Sequence, residues 1–219
     1  MRRNTKIASM AFTGVAAMGA VGLGAGPALA AGGTWTINEP NGTAFAGSNK
    51  TSATLDAGGI NLACKPGTAL ASGTVSGNGK SGVPASLASV TSATFGATSN
   101  PCSFLGFDVT ANLNRPVHLV ASQATTTAGV TKGYLGGAAG DISATVTGVG
   151  TFACHMTVSG SKIPGSYYNS TNTLKINPSA SKTLTIKAVS GCDGAFTTGE
   201  TAYFQADYVV SPALTITGG

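Results

Sequence analysis

Charge is scarce in this chain. Of 219 residues only 9% are Asp, Glu, Lys or Arg, and two are histidine, His118 and His155. Catalysis by proton transfer needs acids and bases tuned by close neighbours, and the seven carboxylates offer few pairings. Glu39, Asp56, Asp108, Asp141, Asp193, Glu200 and Asp207 are spread along the sequence. Among them Asp193 and Glu200 can meet across one loop, where a turn-capping Asp and a solvated Glu explain them as well. No Gly-x-Ser-x-Gly elbow occurs, and neither histidine has a carboxylate partner fixed by spacing. Metal-ligand spacing is absent too: only His155 adjoins a cysteine. The sequence therefore predicts no cofactor and no metal. A hydrolase using His155 with Asp193 or Glu200 ranks last among the functional readings.

Basic residues are equally thin. The formal charge of +5 includes Arg2, Arg3 and Lys6, which belong to a leader. The remaining lysines and Arg115 form no stripe, which argues against a nucleic-acid partner. Glu, Lys and Leu are sparse while Gly, Ser, Thr, Ala and Val abound, so helices have little to be built from.

What is present begins with an export signal. Arg2, Arg3 and Lys6 precede a mostly apolar run from Ile7 to about Ala25, and Ala28-Leu29-Ala30 sets a small-x-small cut before Ala31. The reading is a signal helix over residues 1–30, removed between Ala30 and Ala31. Asn4-Thr5-Lys6 follows Arg2-Arg3 where a twin-arginine signal carries hydrophobic residues, favouring the general secretory route. The ending "SPALTITGG" has no hydrophobic tail, so the mature form is expected outside the cell without a membrane anchor.

Four cysteines then fall in an oxidising compartment, where disulfides are the default. "SATLDAGGINLAC", ending at Cys64, is echoed by "SATVTGVGTFAC", ending at Cys154, and each cysteine is followed by another 38 positions on, Cys102 and Cys192. Three pairings are open, and the repeated spacing favours Cys64–Cys102 with Cys154–Cys192.

Short runs alternate as half-buried strands should. Phe107, Val109, Ala111 and Leu113 share a face, as do Phe152, Cys154, Met156 and Val158, then Leu184, Ile186 and Ala188, then Ala202, Phe204, Ala206, Tyr208 and Val210. Further strands are expected over 34–38, 53–56, 90–95, 117–121, 142–147 and 173–177. Pro40-Asn41-Gly42, Gly77-Asn78-Gly79, Asn100-Pro101 and Pro164-Gly165 supply turns. "GTVSGNGKS", Gly73 to Ser81, lacks a phosphate loop's glycine at Thr74 and reads as a solvated hairpin turn. The fold class is all-β, an Ig-like β-sandwich or partly open barrel. It is a single domain over 31–219 built from two related halves, about 34–120 and 121–219, packed face to face with one disulfide in each.

"ATVTGVGTFAC", "YYNSTNTLKI" and "TLTIKAVSGCDGAFTTGETAYFQADYVVSPALTIT" together resemble a family of small secreted actinobacterial proteins. The resemblance implies export and an all-β fold and supplies no catalytic or binding residue. Where the family pattern carries Gly-Asp after the last cysteine, this chain has Gly199-Glu200.

The leading functional expectation is a secreted, non-catalytic surface or matrix module. Tyr167 and Tyr168, after Pro164-Gly165, are expected to be exposed and to form its possible ligand surface, for instance toward a cell-wall polymer. The runner-up is a carrier of a small apolar ligand held between sheets.

Overall fold

The computed structural model describes residues 33–137 and 142–219. The expected signal helix, its Ala30/Ala31 junction and Asp141 lie outside the described residues. Within them the chain is all-β, with no helix.

The strands, in chain order, are β1 Thr36–Ile37, β2 Ala44–Asn49, β3 Ala53–Ala57, β4 Ile60–Cys64, β5 Ala69–Val75, β6 Ala85–Phe95, β7 Cys102–Phe104, β8 Phe107–Leu113 and β9 Val117–Ala121. There follow β10 Val130–Gly136, β11 Ile142–Gly148, β12 His155–Gly160, β13 Ile163–Tyr168, β14 Thr173–Ile176, β15 Leu184–Ser190, β16 Thr201–Ser211 and β17 Ile216–Thr217.

Where the sequence predicts two sheets face to face or a partly open barrel, hydrogen bonding runs through one 15-stranded sheet that closes on itself twice. Strands β2, β5, β6, β9, β10, β13, β14 and β16 form one closed ring, the upper ring. Strands β3, β4, β7, β8, β11, β12, β15 and β16 form the other, the lower ring. Closure removes exposed strand edges, the usual liability of an all-β chain.

β16 belongs to both rings. Its first residues pair with β15 and β3, at Ala202↔Leu184 and Phe204↔Leu55, and its last with β14 and β2, at Tyr208↔Leu174 and Val210↔Gly47. Eleven residues span roughly 36 Å at strand rise, so the rings follow one another along this strand. A second link joins them at Thr94↔Asn112, between β6 and β8.

The two halves of the chain do not form separate layers. From β2 to β9 the chain visits upper, lower, lower, upper, upper, lower, lower, upper, and from β10 onward it repeats that itinerary, with β16 supplying the last two visits in one stroke. Each ring therefore draws on both halves. The disulfides are Cys64–Cys102 and Cys154–Cys192, with no free cysteine. One bridge lies where β4 meets β7 and the other where β12 meets β15 (corresponding pairs), but at opposite ends of them.

The expected alternation holds for Phe152, Cys154, Met156 and Val158, all buried. It fails in β15. Val158 pairs with Ile186 and Thr157 with Ala188, leaving Lys187 as an extra residue. That bulge reverses the phase, so Ala188 is exposed and Val189 packs against the core instead.

Several upper-ring strands press so closely that only glycine fits. A Cβ on Gly133 would fall against the carbonyl oxygen of Val120 on β9. Gly133→Ala is expected to force β9 and β10 apart and cost roughly 1–3 kcal/mol in urea denaturation. A loss below about 0.5 kcal/mol, the scatter of an indifferent surface change, would show the strands can give.

Candidate functional site

The molecule is solid at one end and hollow at the other. In the far part of the lower ring Val109, Met156 and Ile186 are fully buried. Phe104 stacks on Phe196 with ring centroids 4.8 Å apart, and Phe107 on Phe152 at 4.3 Å. The Cys154–Cys192 bridge lies beside this aromatic cluster, next to the β12–β15 terminus.

Toward and through the upper ring the packing opens into an apolar cavity of about 170 Å3. Its wall takes Leu62, Val146 and Leu184 from the near part of the lower ring, and Phe45, Val90 and Val117 from the upper ring. The space exists because many inward positions there carry small residues, among them Gly47, Ala71, Ala121 and Gly165. Eight-stranded barrels hold either packed side chains or one small ligand, and this ring is not filled by its own side chains.

A ribbon made by the two terminal strands covers the upper mouth. β1 pairs with β17 at Ile37↔Ile216, and Ile37, Leu214 and Ile216 all face the cavity. The ribbon is held by Trp35, which is wholly buried and donates Nε1–H to the carbonyl of Gly82 at 2.8 Å. The backbone N–H of Trp35 donates to Lys80 at 2.7 Å, and that of Ile37 to Asn78 Oδ1 at 2.6 Å. The Gly-rich loop expected to be a solvated turn is thus the clasp for the N-terminal strand.

Of the expected ligand tyrosines, Tyr167 is buried rather than exposed. β13 turns Ile163, Gly165 and Tyr167 inward, so the side chain reaches the cavity wall. Its hydroxyl donates to the Leu214 carbonyl at 2.9 Å and accepts from the Leu214 N–H at 3.3 Å, latching the chain just before β17. Burial pushes its pKa up, against the opposing pull of the Leu214 N–H donated to its oxygen. Tyr168 takes the outer face, half-buried, with Lys175 Nζ 5.6 Å from its ring centre. The two neighbours therefore cannot form one surface: a strand sends them to opposite sides.

The residues of the hydrolase reading are dispersed in role. His155 is exposed at the start of β12 opposite Ser190. Glu200 Oε2 accepts from the Thr197 N–H at 3.2 Å within its own turn, and Asp193 sits at φ 50° in another turn. Both are turn-building uses. His118, in β9, has Nδ1 buried without a partner among the described residues. No group of three or more His, Cys, Asp or Glu among the described residues is placed to hold a metal ion.

Tyr208, which the alternation and its aromatic ring both offered as a candidate for an apolar-ligand surface, takes an inward place on β16. It lines the cavity and is 4% exposed. Desolvation pushes its pKa far above the usual phenol value, so it stays a neutral hydroxyl. Comparison with family models, with curated proteins and with solved structures finds no match to this chain.

Proposed function

We propose that this is an exported, non-catalytic protein that binds one small apolar molecule inside its upper ring. The cavity carries the reading. A dry apolar void of about 150 Å3 in a protein core takes up benzene, so one of about 170 Å3 suits a molecule of benzene's size or a little larger. Two disulfides are consistent with an oxidising compartment and support reading residues 1–30 as a signal peptide. The recurring strand itinerary, with one bridge on each corresponding strand pair, supports reading 34–120 and 121–219 as a duplicated unit.

The surface-module reading loses its anchor, because Tyr167 serves the interior and the cover rather than an outer face. The carrier reading uses the same residue in place.

Protein purified from culture medium and sprayed under native conditions is expected to carry a small molecule that organic solvent removes. The stripped protein is expected to gain thermal stability when saturated with benzene, since a ligand of the folded state alone raises the melting temperature. Absence of both a co-purifying molecule and a benzene-dependent shift would rule the reading out.

A further inference from the structure

The cavity wall contains an inward hydroxyl that makes no hydrogen bond to the protein among the described residues. β16 turns Ala202, Phe204, Ala206, Tyr208 and Val210 inward, and Tyr208 reaches the wall of the upper ring. Other inward polar groups nearby are engaged. The Tyr167 hydroxyl is bonded to Leu214, and the Thr131 hydroxyl lies 2.8 Å from that of Thr125. Asn49, opposite Tyr208 in register, gives its amide N–H groups to the carbonyls of Thr51 and Lys65 and accepts from the Ala69 N–H. The Tyr208 hydroxyl makes no hydrogen bond among the described residues, yet it is not one of the sealed unpartnered polar atoms there, which are His118 Nδ1 and Thr183 Oγ1, so it faces open space.

A hydroxyl that opens on an apolar cavity and finds no partner there costs stability, and phenylalanine would fill the same space without that penalty. Tyrosine at this position is accounted for if its partner arrives with the ligand. Phenols donate better than they accept. Resting on the carrier reading above, we infer that the ligand is a small neutral molecule, largely apolar, with one hydrogen-bond acceptor. A carbonyl or ether oxygen would receive the Tyr208 O–H while the rest of the molecule occupies the apolar space. The site thus discriminates by a single hydrogen bond in dry surroundings, where an unmet polar group is costly and a met one is favoured.

The test uses two molecules of one shape, acetophenone and α-methylstyrene, which differ by C=O against C=CH2. Dissociation constants are measured for the stripped wild-type protein and for Tyr208→Phe. The acetophenone preference, as the ratio of the two constants, is expected to fall about tenfold on substitution, while α-methylstyrene binding stays unchanged. A lowered carbonyl stretching frequency of acetophenone bound to the wild-type protein reads the same bond directly, whether or not the variant folds. Equal ratios in the two proteins, or an unshifted stretch, would overturn the role of Tyr208 and leave the cavity reading standing. Failure of both molecules to bind the wild-type protein would remove the cavity reading and this inference with it.

Discussion

Replacing Cys154 and Cys192 together by alanine is expected to lower stability by about 4 kcal/mol, and so is replacing Cys64 with Cys102. Both loops close over the same separation of 38 residues, so the chain-entropy contribution is the same for each. Reducing both bridges then removes roughly 8 kcal/mol, a large share of the 5–15 kcal/mol that holds a domain of this kind together. Denaturant titration of the two double-alanine proteins and of the fully reduced protein checks these values. A loss under about 1 kcal/mol for either bridge would mean that the sheet alone restrains those ends. The bridges should differ in a second respect. Cys64 lies on the cavity wall, whereas Cys154–Cys192 belongs to the solid end. Removing the first should alter ligand affinity; removing the second should leave it unchanged in protein that is still folded.

Trp35→Ala should be as damaging. Truncating a fully buried tryptophan costs about 3–5 kcal/mol, and here it also strips the ribbon of its anchor at Gly82. Circular-dichroism-monitored unfolding is expected to show that loss, with faster hydrogen exchange at Ile37 and Ile216, whose N–H groups tie the ribbon to Asn78 and Asn169. Trp35→Phe keeps most of the buried surface and should recover about half. If Trp35→Ala cost less than about 1 kcal/mol, the ribbon would be held elsewhere, and the account of how the mouth is covered would fail. Because Trp35 is the chain's single tryptophan, its fluorescence in the wild-type protein reports on the cover alone.

The lower ring was largely legible in the sequence. β8, β11 and the Cys154 segment alternate because inward positions such as Val109, Val146, Phe152 and Met156 are large and apolar, whereas β3 buries Asp56 beside Ala57. β2, β5, β10 and β13 escaped the same reading. Their sequences, AFAGSN, ALASGTV, VTKGYLG and IPGSYY, put glycine among the inward residues, which flattens the period-2 signal. Those four strands belong to the hollow ring. The small side chains that hid them are also what leaves the space, so a weak pattern here marked the site.

Three other features needed the fold itself. The single extra residue at Lys187 flips a strand's phase without any local sign in the sequence. The interleaving of the halves depends on pairings such as β16 with β3, nearly 150 residues apart, which composition and spacing do not encode. Tyr167 and Tyr168 looked like a unit because they are adjacent, although adjacency in a strand is what separates them.

The double membership of β16 has a consequence for how the chain becomes a protein. Neither ring can be completed before Thr201–Ser211 has been synthesised, and β1 waits longer still for its partner at Ile216–Thr217. A nascent chain thus stays without a closed barrel until Thr201–Ser211 is free to pair. Once that strand emerges, its insertion closes both rings in one event, so loss of Thr201–Ser211 opens both rings rather than one.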